Sequence, residues 1–318
     1  MEPHDANGQG KMSTAERRAF QQLCQAGGRM LVVALDQRNA MRALLANSEK
    51  ARGEISDFQL GEVKADIIRF LGNYAPAILL DPGSALPRVV DEGILARDVA
   101  LLVGMDASGW KTDGDPGLRR SYLIPGMNAR RVRELGGTAA KLLVYMRPDR
   151  EGVDAHAADL IRRVSHACSS QDLLLVVEIL VYRLPEEAEE AYESSRPSLI
   201  LGAARIAIES GAKVLKLQFP GSAEACRSLT EVAAGIPWAL LSEGADHPSF
   251  LQRLRVAMAG GAAGAIVGRS LWKDCVSLDS GVRKDRLQRL ALPRLREVEA
   301  LLNTVEGQPA QYTAHRGT

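Results

Sequence analysis

The chain has 318 residues, with 40 lysines and arginines against 39 aspartates and glutamates, and 46% of its residues are hydrophobic. A formal net charge of +1 gives no overall attraction to nucleic acid or to an anionic membrane, which excludes a protein that coats DNA. No apolar run approaches the roughly 20 residues of a membrane-spanning helix. The four cysteines have no CxxC spacing and the first residues have no apolar signal core, so we expect a reduced, cytoplasmic protein with neither a nucleic-acid nor a membrane partner.

Short runs rich in Leu, Val and Ile alternate with longer segments of helical periodicity, which is the pattern of βα units around a buried parallel sheet. The predicted strands cover residues 30–35, 77–80, 101–105, 140–146, 173–180, 213–217, 238–241 and 264–267. The predicted helices cover residues 56–71, 128–135, 154–169, 198–210, 223–234 and 248–259. Glycines near 211 and 260 fall where a helix should end, because glycine tolerates the left-handed C-terminal conformation.

Eight strands with helices between them, and no linker rich in Pro, Gly or Ser, predict one α/β domain over residues 13–306. Its expected form is a closed (β/α)8 TIM barrel. An open, doubly wound sheet is the alternative. The polar segments 1–12 and 307–318 are predicted to be a disordered N-terminus and a flexible C-terminal tail.

The active site of such a barrel lies at the carboxyl ends of the strands, so polar residues that end or interrupt the apolar runs are the candidates. In chain order they are Asp36, Gln37, Arg38, Asp81, Lys141, Glu178, Lys216, Ser242 and Arg269.

Lys216 lies in the sixth run, and period-two alternation puts it on the face opposite Lys213. A lysine inside a barrel loses hydration, which favours the neutral amine, and a second cation such as Lys141 would favour it further. A neutral lysine is a nucleophile for carbonyl carbon. The alternative is a lysine that reaches solvent at a strand end or pairs with an acid.

Glu178 interrupts the fifth run, which is apolar enough that its carboxylate should be buried. If it lies next to Lys216 on the neighbouring strand, it can act as a general acid and base. The alternative is a structural ion pair with Lys141 or Lys216.

The loops after the seventh and eighth runs combine small residues with a cation. Ser242 and Gly244 follow one strand, and Gly268 and Arg269 follow the next. Small residues let backbone N–H groups approach an anion and Arg269 supplies a guanidinium, so these loops predict a phosphate site. The alternative is that the glycines only turn the chain and Arg269 forms a surface ion pair.

The five histidines give no pair with metal-ligand spacing, so we expect no metal site. The chain has no GxGxxG after the first strand and no P-loop, so we also expect no cofactor.

Seven motifs run along roughly residues 30–273. They are VALDQRNAMR at 33–42, ILLDP at 78–82, AKLLVY at 140–145, VEILVY at 177–182, VLKLQFP at 214–220, PWALLSEG at 237–244 and VGRSLW at 267–272. Together they resemble the class I aldolases of the tagatose 1,6-bisphosphate aldolase family, which includes the sulfofructosephosphate aldolases.

The resemblance implies a metal-free barrel, assembled as a dimer or tetramer, that reversibly cleaves a ketose 1-phosphate to dihydroxyacetone phosphate and an aldehyde. It implies that Lys216 is the Schiff-base lysine and Glu178 the acid and base, with Lys141 and Asp36 around the ketose chain. The residues that match its phosphate site are Ser242, Gly244, Gly268 and Arg269. Further substrate-binding candidates are Gln37, Arg38 and Asp81, the first two toward the distal anion together with Lys141.

Two substrates stay open. The sequence DQRNAMR and residues 255–264 resemble the branch that acts on sulfofructose 1-phosphate and gives sulfolactaldehyde. EILVY at 178–182 resembles the branch that acts on tagatose 1,6-bisphosphate and gives glyceraldehyde 3-phosphate. Glu243 departs from the family pattern, in which a small residue is expected after Ser242, and a carboxylate beside a phosphate pocket is repulsive unless it points away. Gln218, two positions after the lysine, replaces an expected acid. Two functions of a different class also stay open, a non-covalent sugar-phosphate isomerase and an aldolase-derived sugar-phosphate-sensing regulator.

Overall fold

The computed structural model describes residues 11–49, 54–112, 117–152 and 155–304. Its strands are parallel and close into a barrel in chain order, from β1 to β8. The strands are β1 Met30–Leu35, β2 Ala77–Leu80, β3 Ala100–Gly104, β4 Ala139–Tyr145, β5 Leu174–Leu180, β6 Val214–Leu217, β7 Trp238–Leu241 and β8 Gly264–Val267. The predicted (β/α)8 barrel is confirmed and the doubly wound alternative is wrong.

Helices connect the strands on the outside of the barrel. They are α1 Thr14–Gln22, α2 Asn39–Glu49, α3 Asp57–Phe70, α4 Arg88–Asp91, α5 Ala129–Glu134, α6 His156–Ser169, α7 Glu189–Glu209, α8 Ala223–Ala233, α9 His247–Ala259, α10 Arg269–Trp272, α11 Ser280–Arg286 and α12 Leu292–Thr304. A short 3-10 helix, Gly72–Tyr74, follows α3, and a π-helical turn, Leu287–Ala291, joins α11 to α12. No helix of the described ranges combines the length and apolarity needed to cross a membrane.

The predicted strands agree with the observed ones within one residue at each end, because each is a short and mostly apolar run. One helix is wrongly bounded. The prediction starts a helix at residue 198, after Pro197, whereas α7 runs through Pro197 from Glu189. A proline inside a helix loses one N–H donor and its ring crowds the carbonyl of residue i−4, and the packing of the buried residues of α7 against the barrel offsets this cost.

The inward side chains of the strands form a second, smaller core inside the barrel, separate from the core between strands and helices. Helix α1 closes the amino end of the barrel with Phe20 and Leu23, and Met12 is buried with them. Lys213 lies at this end, with its Nζ 2.7 and 2.8 Å from the two carboxylate oxygens of the buried Glu16. Residues 1–10 and 307–318 lie outside the described residues, and their disorder stays a prediction.

Candidate active site

A cavity of about 320 Å³ opens at the carboxyl ends of the strands. Its lining includes most of the predicted site residues, contributed by β1, β4, β5, β6 and the loops after β7 and β8. They are Asp36, Gln37, Arg38, Lys141, Glu178, Lys216, Ser242, Gly268 and Arg269. The opposite end of the barrel is closed by α1, so a ligand enters from this side.

Lys216 and Glu178 face each other across neighbouring strands. They are register partners in the β5–β6 ladder, and the Nζ of Lys216 lies 2.8 Å from Glu178 Oε2. Both residues are buried, because the strands that carry them are apolar. Among the described residues, Glu178 is the one carboxylate within ion-pair distance of Lys216.

Lys141 is the most enclosed charge of the cavity, with 1% of the residue exposed. Its Nζ lies 2.8 Å from Asp36 Oδ2, 3.1 Å from Asp106 Oδ1 and 2.9 Å from Glu178 Oε2. The same Glu178 oxygen therefore accepts from both lysines. The sequence places Lys141 at the start of a strand, but it is the third residue of β4, deep enough to reach three carboxylates.

The pKa values of these groups follow from burial and from their neighbours. Burial alone would raise the pKa of Asp36 and of Glu178, but the charges of Lys141 and Lys216 outweigh it and lower both. Burial would lower the pKa of Lys141, but Asp106, Asp36 and Glu178 outweigh it and raise the value well above 10.5. Lys141 is therefore a fixed cation, and a poor nucleophile.

Asp106 belongs to this cluster but is missing from the predicted site residues. It lies two residues beyond β3, and its Oδ1 also accepts from the backbone N–H of Leu143 at 3.0 Å. Burial, helped by the charges of Asp36 and Glu178, raises its pKa above the usual aspartate value. The signal that could have found it is its position, because Asp106 directly follows the predicted third strand, which ends at Met105.

Gln37 and Arg38 follow β1 and bring unused hydrogen-bonding atoms to the cavity. Gln37 Nε2 donates to Asp36 Oδ1 at 3.0 Å, and Arg38 Nη2 donates to the Asp106 carbonyl oxygen at 2.6 Å. Gln37 Oε1 and Arg38 Nε are buried, and neither has a hydrogen-bond partner within the described ranges. A buried polar atom without a partner is costly, so these atoms fit contacts with a bound substrate.

The loops after β7 and β8 pack closely against each other. A Cβ on Gly244 would lie 3.1 Å from the guanidinium carbon of Arg269, and the φ of Gly244 is 78°, a conformation that favours glycine. A Cβ on Gly268 would lie 2.8 Å from the carbonyl oxygen of Ala34. In the part of the chain that the structure describes, Arg269 forms no ion pair, so the alternative of a surface ion pair finds no support.

Glu243 lies between Ser242 and Gly244, and its carboxylate is bound by other side chains. It forms an ion pair with Arg196 of α7 and accepts from Gln218 Nε2 at 2.8 Å. Both departures from the family pattern, Glu243 and Gln218, are thus in contact.

Asp81 is not part of the cavity lining. It is 1% exposed, forms an ion pair with the buried Lys64 of α3, and accepts from the backbone N–H of Ser84 at 2.7 Å. These contacts order the turn after β2. In the structure Asp81 supports this loop, and its role in substrate binding stays a prediction.

An arginine held by aromatic rings lies on the β3–β5 side of the cavity mouth. The guanidinium carbon of Arg119 is 4.1 Å from the ring centre of Trp110, 4.5 Å from that of Tyr182 and 5.7 Å from that of Tyr145. Tyr145 lines the cavity. This group is absent from the predicted site residues, because its members come from three separate segments and only Tyr145 and Tyr182 lie in the motifs.

Three carboxylates of the cavity converge on one lysine. Asp36, Asp106 and Glu178 all contact Lys141. No three His, Cys, Asp or Glu side chains in the described ranges form a group that could hold a metal ion.

Three comparisons place the chain among known proteins. A profile of DeoC/LacD family aldolases matches residues 30–274. Tagatose 1,6-diphosphate aldolase 1 of Streptococcus pyogenes serotype M3 is 24% identical, over 94% of this chain and 98% of that protein. Tagatose 1,6-diphosphate aldolase of Lactococcus lactis subsp. lactis is 26% identical, over 83% and 87%.

Among solved structures, an archaeal fructose-1,6-bisphosphate aldolase, with its catalytic lysine bound to the carbinolamine intermediate, shares the fold. The TM-score is 0.61 at 19% identity, over 90% of this chain and 99% of that chain. The family match covers most of the barrel and includes every residue of the cavity cluster. The chain therefore belongs to the DeoC/LacD aldolase family and is a carbon–carbon lyase.

Proposed function

We propose that this aldolase cleaves a ketose 1-phosphate through a Schiff base on Lys216, giving dihydroxyacetone phosphate and an aldehyde. The observation that carries the proposal is the contact of 2.8 Å between Lys216 Nζ and Glu178 Oε2 inside the barrel. Lys141 binds the same oxygen but is held charged by three carboxylates, whereas Lys216 pairs with Glu178 alone among the described residues, so Lys216 is the better candidate for the nucleophile. The relatives named as tagatose 1,6-diphosphate aldolases support the reaction class.

The reaction begins when Glu178 accepts a proton from Lys216 and the neutral amine adds to the C2 carbonyl. The C2 oxygen takes up a proton and leaves as water, which produces a protonated imine. Ionised Glu178 or Asp36 then removes the proton of the C4 hydroxyl. The C3–C4 bond breaks, its electron pair moves into the enamine, and the aldehyde leaves. Protonation at C3 and hydrolysis release dihydroxyacetone phosphate and regenerate Lys216.

The C1 phosphate is proposed to bind between the loops after β7 and β8. Arg269 has a guanidinium without a carboxylate partner in the described ranges, and Gly244 and Gly268 allow close approach of the backbone. Lys216 is on β6, next to these loops, so a substrate held there by its phosphate presents C2 to the amine.

The distal end of the ketose then points across the barrel. Because the strands close in chain order, β3 and β4 lie opposite β7 and β8. Arg38 follows β1, and its guanidinium reaches that side through the Asp106 carbonyl oxygen. Arg119 packs against aromatic rings there, and within the described ranges its side-chain N–H groups have no hydrogen-bond partner, so they can bind an anion. A distal phosphate or sulfonate fits this charge. The relatives' activity favours tagatose 1,6-bisphosphate, and the DQRNAMR sequence keeps sulfofructose 1-phosphate as the second candidate.

The test is borohydride trapping with dihydroxyacetone phosphate, followed by peptide mass spectrometry. The expected product is a Lys216 peptide heavier by the mass of dihydroxyacetone phosphate less one oxygen atom, formed equally with EDTA. Lys216→Met should abolish the adduct. Lys213→Met, which removes the lysine directly before β6 at the opposite end of the barrel, is the matched control and should keep it.

An adduct on another lysine would identify that lysine, and not Lys216, as the nucleophile. Binding of the sugar phosphate without any adduct would refute the Schiff base and favour an isomerase or a sensing regulator. If the adduct forms, cleavage of tagatose 1,6-bisphosphate and of sulfofructose 1-phosphate is compared by the aldehyde released, glyceraldehyde 3-phosphate or sulfolactaldehyde.

A further inference from the structure

Glu243 occupies an unfavourable position in the loop after β7. Its φ is 51°, in the left-handed region that favours glycine, and it lies between Ser242 and Gly244, where the phosphate is proposed to bind. Its side chain lines both the active-site cavity and a neighbouring cleft on the α7 side. A free carboxylate at this border would repel a phosphate dianion.

The structure shows what restrains this carboxylate. Glu243 Oε1 accepts from Arg196 of α7 and from Gln218 Nε2, the latter at 2.8 Å. Glu243 Oε2 lies 3.5 Å from Arg253 Nη1. All three donors line the neighbouring cleft, so they hold the carboxylate on the side away from the imine lysine.

The contact between Gln218 and Glu243 requires a side-chain amide at position 218. Its Oε1 accepts from the backbone N–H of Val181 at 2.8 Å, which fixes the orientation of the side chain and turns Nε2 toward Glu243. An ionised acid at position 218 has no donor and would repel Glu243. The two departures from the family pattern are therefore one unit, since a glutamate at 243 needs a donor at 218.

Arg196 reaches Glu243 because α7 begins at Glu189 and continues through Pro197. The part of the helix before the proline carries the guanidinium to the loop after β7. Arg196 also lies 3.8 Å from Glu193, an exposed residue one turn earlier. Its main partner is thus the residue in the phosphate loop.

We propose that Arg196 and Gln218 are positioning residues that hold the Glu243 carboxylate out of the phosphate subsite, so that this loop can bind the dianion of dihydroxyacetone phosphate. The inference rests on the proposed function in one respect, the location of the phosphate beside Arg269. It predicts that the effects of removing Arg196 and of removing Glu243 on phosphate binding are coupled. Removal of Arg196 should weaken phosphate binding, and removal of Glu243 should restore it.

The experiment measures the dissociation constant of inorganic phosphate by calorimetry in four proteins. These are the natural chain, Arg196→Met, Arg196→Met/Glu243→Gly and Arg196→Met/Glu243→Gln. We expect Arg196→Met to bind phosphate roughly tenfold more weakly, because a freed carboxylate then faces the anion. Both double variants should bind it more tightly than Arg196→Met. The second keeps the size of the side chain and removes only its charge.

A functional readout separates this role from a structural one. The KM for dihydroxyacetone phosphate in the condensation direction should rise in Arg196→Met, whereas borohydride trapping of unphosphorylated dihydroxyacetone on Lys216 should not change. Arg196→Lys should rescue part of the loss. Arg253→Met, which removes the most distant of the three donors, is the matched control and should have a smaller effect. Thermal unfolding of each variant identifies any that fails to fold.

Double variants that bind phosphate as weakly as Arg196→Met would overturn the proposal, because Arg196 would then act directly or through the fold. If the natural chain forms no imine but phosphate binding follows the expected pattern, the Schiff-base function fails and this inference stands. If the imine forms and the pattern is absent, only this inference fails.

Discussion

Replacing Lys141 by methionine tests whether the lysine holds the buried carboxylates together. Its Nζ contacts Asp36, Asp106 and Glu178 at 2.8, 3.1 and 2.9 Å, and the residue is 1% exposed. Removing one partner from a buried ionic cluster costs about 3–5 kcal/mol. Since a domain is stable by about 5–15 kcal/mol, we expect a large loss in the free energy of unfolding at neutral pH.

The loss should depend on pH with a defined sign. Lys141 helps to lower the folded-state pKa of Asp36 and Glu178, so in the natural chain these groups stabilise the fold above their unfolded pKa values, about 3.9 and 4.3, and lose that contribution as pH falls. In Lys141→Met we expect their folded pKa to rise above the unfolded values. Ionisation then costs stability, and protonation relieves the cost as pH falls. The difference between the two proteins should therefore shrink toward acid pH.

The assay is urea unfolding followed by circular dichroism at about pH 7.5 and about pH 5. Lys284→Met on α11, an exposed lysine, is the control and should change stability by less than about 0.5 kcal/mol. A loss below about 1 kcal/mol for Lys141→Met at neutral pH, or a loss that grows on acidification, would refute the reasoning.

Three further changes probe the site and the barrel. Glu178→Gln should slow imine formation about 10²–10⁴-fold, since the amide cannot accept the Lys216 proton. The rate is measured by adding borohydride at successive times and quantifying the adduct. An unchanged rate would show that Glu178 is not the base for imine formation. Arg119→Met should raise the KM of a substrate with a distal anion by roughly tenfold or more and leave trapping of dihydroxyacetone phosphate unchanged; equal effects on both ligands would contradict its distal role. Gly264→Ala should destabilise the barrel by about 3 kcal/mol or more, because its Cβ would lie 2.0 Å from the Met30 carbonyl oxygen. Thermal unfolding measures this loss of stability. A stability close to that of the natural chain would show that the paired strands β1 and β8 can shift to make room.

Much of the fold was predictable because the barrel strands are buried on both sides and read as continuous apolar runs. The helices were harder. Helix α1 has no predicted counterpart, although Ser13 and Glu16 form a capping box that marks its start. The predicted helix start at residue 198 was wrong. Proline usually ends or begins a helix, but in α7 tertiary packing keeps the helix continuous through Pro197, and one sequence does not reveal that packing.

The candidate site was predictable where a charged residue interrupts an otherwise apolar strand. Lys216, Glu178 and Lys141 meet as the strand pattern implies, because inward positions of neighbouring strands share one interior. Asp81 shows the limit of this reasoning, since a polar residue after a strand can equally be bonded to a helix behind the barrel. The pairing of Glu243 with Arg196 was not predictable, because 47 residues separate them and the contact depends on the extension of α7 before Pro197.

The seam between β1 and β8 joins the first strand to the last. Met30 pairs with Gly264, and Trp272 donates from its indole to the Ala34 carbonyl oxygen at 3.1 Å. While the chain is being synthesised, β1 has no second neighbour until β8, which begins at Gly264, has been made. Both free edges of the growing sheet are open to other chains throughout that time. Closure of the barrel therefore waits for β8, and a chain that stops before Gly264 keeps two open sheet edges.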